Sequence, residues 1–167
     1  NGWVKKIQVI NEKKYSIGII GSGPAGLAAA EQLRKKGYQV TIYDRYDRPG
    51  GLLIYGIPNF KLEKEIVQKR TNRLKESGIN FIMNSEIGTS ITFDTVKEKY
   101  DAVLISTGVY KSRVINLNKR NAVNVVPALK FLISSNKKGL NDEVQDFDNG
   151  RLNAKNKNVV VIGGGDT

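Results

Sequence analysis

Cysteine and histidine are both absent from the sequence. Without thiols there is no disulfide, no thiolate nucleophile and no cysteine-held iron or zinc within these residues. Without imidazole the usual general base and the commonest metal ligand are missing as well. Long apolar runs are lacking too: none approaches the ~18 residues that a membrane-crossing helix requires. The opening Asn1-Gly2-Trp3-Val4-Lys5-Lys6 has no secretory-signal stretch. Acidic residues are the scarcer charge, 16 against 27 Lys and Arg, for a formal net charge of +11. The basic residues are scattered from Lys5 to Lys157, and no aromatics are interleaved with them as stacking platforms. No nucleic-acid partner is therefore expected, although the positive field favours anionic ligands. No catalytic acid, base, nucleophile or metal ligand is assigned, so the chemistry is expected to reside in a bound cofactor. Glu63 and Glu65 would suit an acid/base pair, but charged residues on a helix surface are far commoner.

What is present is a repeated grammar of β-rich run followed by glycine loop. Residues 15–20 read as a buried strand, leading into Gly21-Ser22-Gly23-Pro24-Ala25-Gly26 and an alanine-rich helix over 24–36. Pro24 suits the first helical turn, where its missing N–H is no loss, and Gly37 is placed to cap the end. Residues 38–43, β-branched and aromatic, read as a second strand. This is a strand-helix-strand crossover of about 30 residues, the unit of a parallel sheet. Beyond Arg48-Pro49-Gly50-Gly51, the pattern predicts a helix over 62–77 with Leu62, Ile66, Val67, Arg70 and Leu74 on one side. Strands are expected at 79–84, 91–93 and 100–106, with a short helix capped by Asp94 between the last two. A further helix is expected at 128–134 and a mobile polar loop at 137–158. The final residues, 158–167, read as a strand entering a second glycine loop. The chain does not begin with Met and stops inside this second motif, so it is expected to be part of a longer protein. The domain reading is an arm over 1–14, a first nucleotide domain over 15–120, a connector over 121–157 and the start of a second domain over 158–167.

Gly21, Gly23 and Gly26 have the G-x-G-x-x-G spacing. The first permits a tight turn, the second lets a pyrophosphate approach the backbone, and the third lets helix and strand pack closely. The helix start offers free N–H groups and the positive end of a dipole. Asp44 ends the second strand about 20 residues further on, where a carboxylate accepts hydrogen bonds from an adenosine ribose.

Beyond this the reading rests on resemblance. Asp44 through Leu52 is similar to the acid-then-Gly-Gly extension of two-dinucleotide flavoproteins. Tyr100 through Gly108 resembles their second flavin motif, a strand ending in Thr-Gly. Gly56-Ile57-Pro58-Asn59-Phe60-Lys61-Leu62-Glu63-Lys64-Glu65 resembles the small (beta) subunit of NADPH-dependent glutamate synthase. Dihydropyrimidine dehydrogenase belongs to the same wider family. Val126 to Ile133 and Val159 to Thr167 resemble that family's pre-NADPH helix and the start of its NADPH domain.

The resemblance implies an α/β Rossmann-like FAD-binding domain: a parallel sheet with crossover helices and a small antiparallel addition, followed by the start of a second such domain for NADPH. It implies that Ser22, Gly23, Pro24, Ala25 and Gly26 wrap the FAD pyrophosphate and that Asp44, with Arg45 beside it, holds the ribose. Gly50, Gly51 and Leu52 would approach the pyrophosphate and flavin, Lys61 would contact FAD, Ile87 would meet the adenine, and Thr107 and Gly108 would close the second flavin motif. Gly163, Gly164, Gly165, Asp166 and Thr167 would bind NADPH. The implied activity is a cytoplasmic oxidoreductase passing electrons from NADPH through FAD to 4Fe-4S clusters that lie outside these residues. From there they would reach the large glutamate synthase subunit, for glutamate biosynthesis. The alternatives are the electron-input subunit of another NAD(P)H-flavin complex or a non-catalytic FAD-binding module. These 167 residues alone are expected to bind FAD poorly and to lack NADPH oxidation.

Overall fold

Four short β-rich runs assemble into one sheet because each carries apolar side chains toward both faces. The computed structural model describes residues 5–112 and 124–164. The strands are β1 (Ser16–Ile20), β2 (Gln39–Tyr43), β3 (Asn80–Ile82) and β4 (Ala102–Ile105). They lie in the order β3-β2-β1-β4, and every pair is parallel. Ile19 of β1 stands opposite Ile42 of β2 and Leu104 of β4. Helices α1 (Pro24–Lys35), α2 (Leu52–Tyr55), α3 (Lys64–Glu76) and α4 (Phe93–Lys99) connect the strands.

Side chains alternate between the faces of a strand, so the sheet carries two cores. Ile17 and Ile19 join Leu27, Ala30, Val40, Ile42, Leu74 and Ile79 in one. Ile20, Tyr43 and Val96 form the other, with Ile82, Ile87, Tyr100 and Val103 packed against them. Gly37 ends α1 as its position in the sequence implies, at φ 89°, with its N–H donated to Arg34 O at 2.9 Å.

These elements, apart from Tyr55 at the end of α2, belong to one of two compact units, made of residues 1–54 and 63–108. The arm preceding β1 is bound to the helix ends of this unit. Ile7 N–H donates to Ser77 Oγ at 2.8 Å, Lys13 N–H donates to Gly37 O at 2.8 Å, and Glu12 pairs with Arg34. The second unit comprises residues 55–62 and 109–167. Its described part contains α5 (Ala128–Gly139) and α6 (Gln145–Asp148). Phe131 and Phe147 rings lie 6.4 Å apart, Lys138 Nζ pairs with Asp148 at 2.7 Å, and Leu152 is buried.

Several expectations are corrected. Residues 91–93 do not form a strand of the sheet. Ile91 makes an isolated bridge to Ile87 across a tight turn, and Phe93 already begins α4, whose cap is Thr92 rather than Asp94. Thr92 Oγ1 accepts from Thr95 N–H at 3.2 Å, the shorter polar side chain standing where the first turn has an orphan donor. No antiparallel pair occurs among the described residues. The segment expected as a polar loop instead continues α5 through Gly139, with Lys137 and Lys138 favourably placed against the helix dipole in its last turn, and then forms α6. Val159, Val160, Val161 and Ile162 have no strand partner among the described residues and are 60–87% exposed. A β-rich run becomes a strand only where a neighbour satisfies its backbone groups.

Candidate dinucleotide-binding site

The fingerprint loop lies at the carboxyl end of β1, between the ends of β2 and β4. Gly21 holds φ 106°, and a Cβ on it would stand 2.4 Å from Ser106 O. A Cβ on Gly26 would stand 2.0 Å from Gly21 O, so α1 meets the turn with no room for a methyl group. Ser106, at the end of β4, fixes this arrangement: its Oγ donates to Ile20 O at 3.1 Å and Gly21 O at 3.0 Å. In the sequence, the signal for this role of Ser106 is its place before Thr107-Gly108. Thr107 N lies beside Gly21, and both Thr107 and Gly108 are exposed there.

Gly23 is the counterpart. It is the N-cap of α1, with no side-chain cap and no acidic residue in the first turn, and a Cβ built on it meets nothing within 4 Å. No side chain therefore stands over the start of α1, where the first-turn N–H groups lack intrahelical partners, and Pro24 and Ala25 are exposed beside it. This is a cradle for an anion against the backbone.

Asp44 borders the cradle at the end of β2 and is 8% exposed. Its Oδ2 accepts from Ser22 N–H at 2.7 Å and Ser22 Oγ at 2.5 Å, and its Oδ1 accepts from Tyr46 N–H at 2.9 Å. The family resemblance implies that Ser22 wraps the diphosphate. In the structure its N–H and hydroxyl are turned to Asp44. Gly50 N–H reaches back to Ser22 O at 3.0 Å, so the Gly50-Gly51 turn, with φ 128° and 53°, lies against the fingerprint. Leu52 follows as the first residue of α2.

The turn after β3 sits on the other side of Asp44, whose O accepts from Ser85 N–H at 2.8 Å. Ile87 in this turn packs its side chain against the Ile20–Tyr43–Val96 core. Arg45 lies 3.7 Å from Glu86 and its guanidinium is 5.1 Å from the Tyr46 ring centroid. Lys64, whose lysine chemistry gives no sign of it in the sequence, is 4% exposed and donates from Nζ to Leu53 O in α2 at 3.1 Å. Burial lowers its pKa from the usual lysine value.

Gly21, Ser22, Gly23, Pro24, Ala25, Gly26, Asp44, Arg45, Gly50, Gly51, Leu52, Ile87, Thr107 and Gly108 thus all belong to the first unit. Lys61 is exposed and belongs to the second, as do Gly163 and Gly164. Gly165, Asp166 and Thr167 lie outside the described residues. Among the described residues no cluster of carboxylates could hold a metal ion, and no helix is long and apolar enough to cross a membrane.

Comparison with known proteins agrees with this geometry. The family model for pyridine nucleotide-disulphide oxidoreductases matches residues 15–167. The glutamate synthase (NADPH) small chain of Azospirillum brasilense is 52% identical over 166 residues, which is 99% of this chain and 34% of that protein. The Bacillus subtilis small chain is 45% identical over 167 residues, 100% of this chain and 34% of that protein. The chain therefore spans about a third of the length of these curated relatives. Mycobacterium tuberculosis FprA in complex with NADPH shares the fold, with a TM-score of 0.67 at 24% identity over 74% of this chain and 29% of that one. A 2-naphthoyl-CoA reductase complex matches with a TM-score of 0.62 at 26% identity over 74% of this chain and 19% of that one.

Proposed function

Because the chain belongs to the pyridine nucleotide-disulphide oxidoreductase family, we propose that it supplies the FAD-binding part of an NADPH-dependent oxidoreductase of the glutamate synthase small-chain type. The observation that carries this reading is the open space over Gly23, bordered by the Asp44 carboxylate and the Gly50-Gly51 turn. A side chain at any of the three fingerprint glycines would fill that space or break the turn that frames it.

The residues divide the work by chemistry. Backbone N–H groups of the first turn of α1, at Ala25 and Gly26, hold the diphosphate, with Pro24 contributing pre-set geometry rather than a donor. Asp44 accepts hydrogen bonds from the adenosine ribose, and Arg45 lies at its edge. Gly50, Gly51 and Leu52 border the diphosphate and flavin side, Ile87 the adenine side, and Thr107 and Gly108 the end of β4. Lys61 supplies a cation to FAD, and Gly163 to Thr167 contribute backbone to the NADPH site. FAD, where bound, would supply the redox chemistry of NADPH oxidation. The protein binds, orients and excludes water, which accords with a chain that has neither histidine nor cysteine. On this reading 4Fe-4S clusters and the large glutamate synthase subunit would be the acceptors, in the cytoplasm.

Expression of the whole reading frame that contains this segment tests the proposal. A stoichiometric flavin spectrum, bleached by NADPH, is expected, with glutamate formed from 2-oxoglutarate and glutamine once the large subunit is added. A colourless protein that takes up no FAD overturns the flavin assignment. Flavin reduction without any glutamate formation overturns the glutamate synthase assignment alone.

A further inference from the structure

Ser22 sits where three segments cross. Its residue is fully buried, and its hydroxyl donates to Asp44 Oδ2 at 2.5 Å while its N–H donates to the same oxygen at 2.7 Å. Gly50 N–H divides between Ser22 O at 3.0 Å and Ser22 Oγ at 3.3 Å. The hydroxyl is thus acceptor from the Gly50 loop and donor to the acid at the end of β2, a role open to a group carrying both functions. Two donors hold Oδ2, and Tyr46 N–H holds Oδ1 at 2.9 Å. These contacts fix the plane of the carboxylate and leave acceptor capacity for another donor.

We infer that Ser22 is a positioning residue: through its hydroxyl it aims the Asp44 carboxylate at the adenosine ribose and couples that grip to the Gly50-Gly51 turn. The inference rests on the FAD reading given above. It assigns Ser22 to the ribose side of the site, acting through another residue. Hydrogen bonds to a charged acceptor are worth more than neutral ones, so loss of this hydroxyl is felt in ligand affinity, and selectively by a ligand that bears the ribose hydroxyl.

The test titrates FAD, and an FAD analogue lacking the 2′-hydroxyl of its adenosine ribose, into the full-length apoprotein. The unsubstituted protein is expected to bind the analogue about tenfold more weakly. In Ser22→Ala, FAD affinity is expected to fall about tenfold and analogue affinity about twofold, so that discrimination nearly disappears. Ser22→Thr, which keeps the hydroxyl, is expected to retain discrimination. If Ser22→Ala binds both ligands more weakly by the same factor, the hydroxyl is a packing element and the inference fails. If the unsubstituted protein binds FAD but does not discriminate, the ribose role of Asp44 fails and takes this inference with it. If Ser22→Ala and Ser22→Gly both fail to fold while Ser22→Thr folds, Ser22 serves stability and the inference is overturned.

Discussion

The ring of Tyr100 occupies the space that a side chain on Gly18 would need, since a Cβ there would stand 2.7 Å from the ring's Cδ2. Gly18 lies in the middle of β1, paired with Thr41 on one side and Val103 on the other. The glycine admits an aromatic group onto the face of the sheet. Tyr100 then meets Tyr43 edge-on, with centroids 6.1 Å apart and hydroxyls 2.8 Å apart. Burial raises the Tyr43 pKa above the ordinary tyrosine value, and the Tyr100 hydroxyl adds to the effect.

Gly18→Ala is therefore expected to lower folding stability by about 1–3 kcal/mol, the usual cost of overpacking. Urea unfolding measures this. Pairing it with Tyr100→Ala gives the decisive comparison, because residues in contact are non-additive. The alanine at 18 costs much less once the ring is gone. Equal costs in both backgrounds would show that the strand glycine has another purpose.

Gly23 and Gly26 differ in a way that separates binding from folding. A methyl group on Gly23 meets no protein atom, whereas one on Gly26 meets Gly21 O at 2.0 Å. Gly23→Ala is expected to fold with stability changed by less than about 0.5 kcal/mol, typical of a substitution without clash, while FAD affinity falls at least about tenfold. Gly26→Ala is expected to lose about 3 kcal/mol of stability or more, because the neighbours are backbone and cannot move aside. Thermal melting and flavin fluorescence quenching, run on both variants, check the contrast.

Much of this site could be read in the chain because its signals are local. The G-x-G-x-x-G spacing and the helix-ending Gly37 each act within a few residues of themselves, and the acid closing β2 stands at the end of a short crossover. The parallel order of β1 and β2 follows from the helix between them. Ser22 could not be read this way, because its partners Asp44 and Gly50 lie 22 and 28 residues away. In α3 the apolar pattern misled. The buried positions are Lys64, Val67, Thr71 and Leu74, a regular helical spacing, while Ile66 is 53% exposed. Lysine and threonine do not register as hydrophobic, yet both are buried here with their polar ends satisfied, Lys64 Nζ on Leu53 O and Thr71 Oγ1 on Gln68 O. Residues 159–162 show the converse: strand composition is visible in the chain, but a pairing partner is not.

Asp44→Ala is expected to weaken FAD binding by about 1.5–3 kcal/mol, the range for a hydrogen bond to a charged group. The same carboxylate also receives Ser22 and Tyr46 donors, so a second effect follows. Ser22, which carries the Gly50 N–H, loses its anchor, and amide hydrogen exchange across 45–51 is expected to quicken even without ligand. Isothermal titration measures the first effect and exchange mass spectrometry the second. Unchanged exchange in the free variant would separate the turn from the acid.

Glu31 provides the pH dependence. It is 8% exposed on α1 and receives Arg73 at 2.9 Å, Arg70 at 2.9 Å and Lys35 at 3.1 Å. Arg73 also donates to Lys5 O at 3.3 Å, which links the arm before β1 to the same cluster. Burial opposes ionisation of Glu31, but the hydrogen bonds from Arg73 and Lys35 and the charges of Arg73 and Arg70 outweigh it, so its pKa falls below the ordinary 4.5. A carboxyl whose pKa is lower folded than unfolded binds fewer protons in the native state through that interval. Its stabilising contribution is complete above pH ~4.5 and is lost as pH drops through the depressed folded value. Glu31→Gln is expected to cost about 1–2 kcal/mol at pH 7, kept modest because Arg70 and Lys35 are largely in solvent. The gap between the two proteins should close as the pH is taken from 5 toward 3. Urea unfolding at several pH values, with Glu31→Gln as the reference for every other titrating group, reads this directly. A gap that stays constant to pH 3 would mean that the three cations stabilise the helix pair by packing rather than by charge.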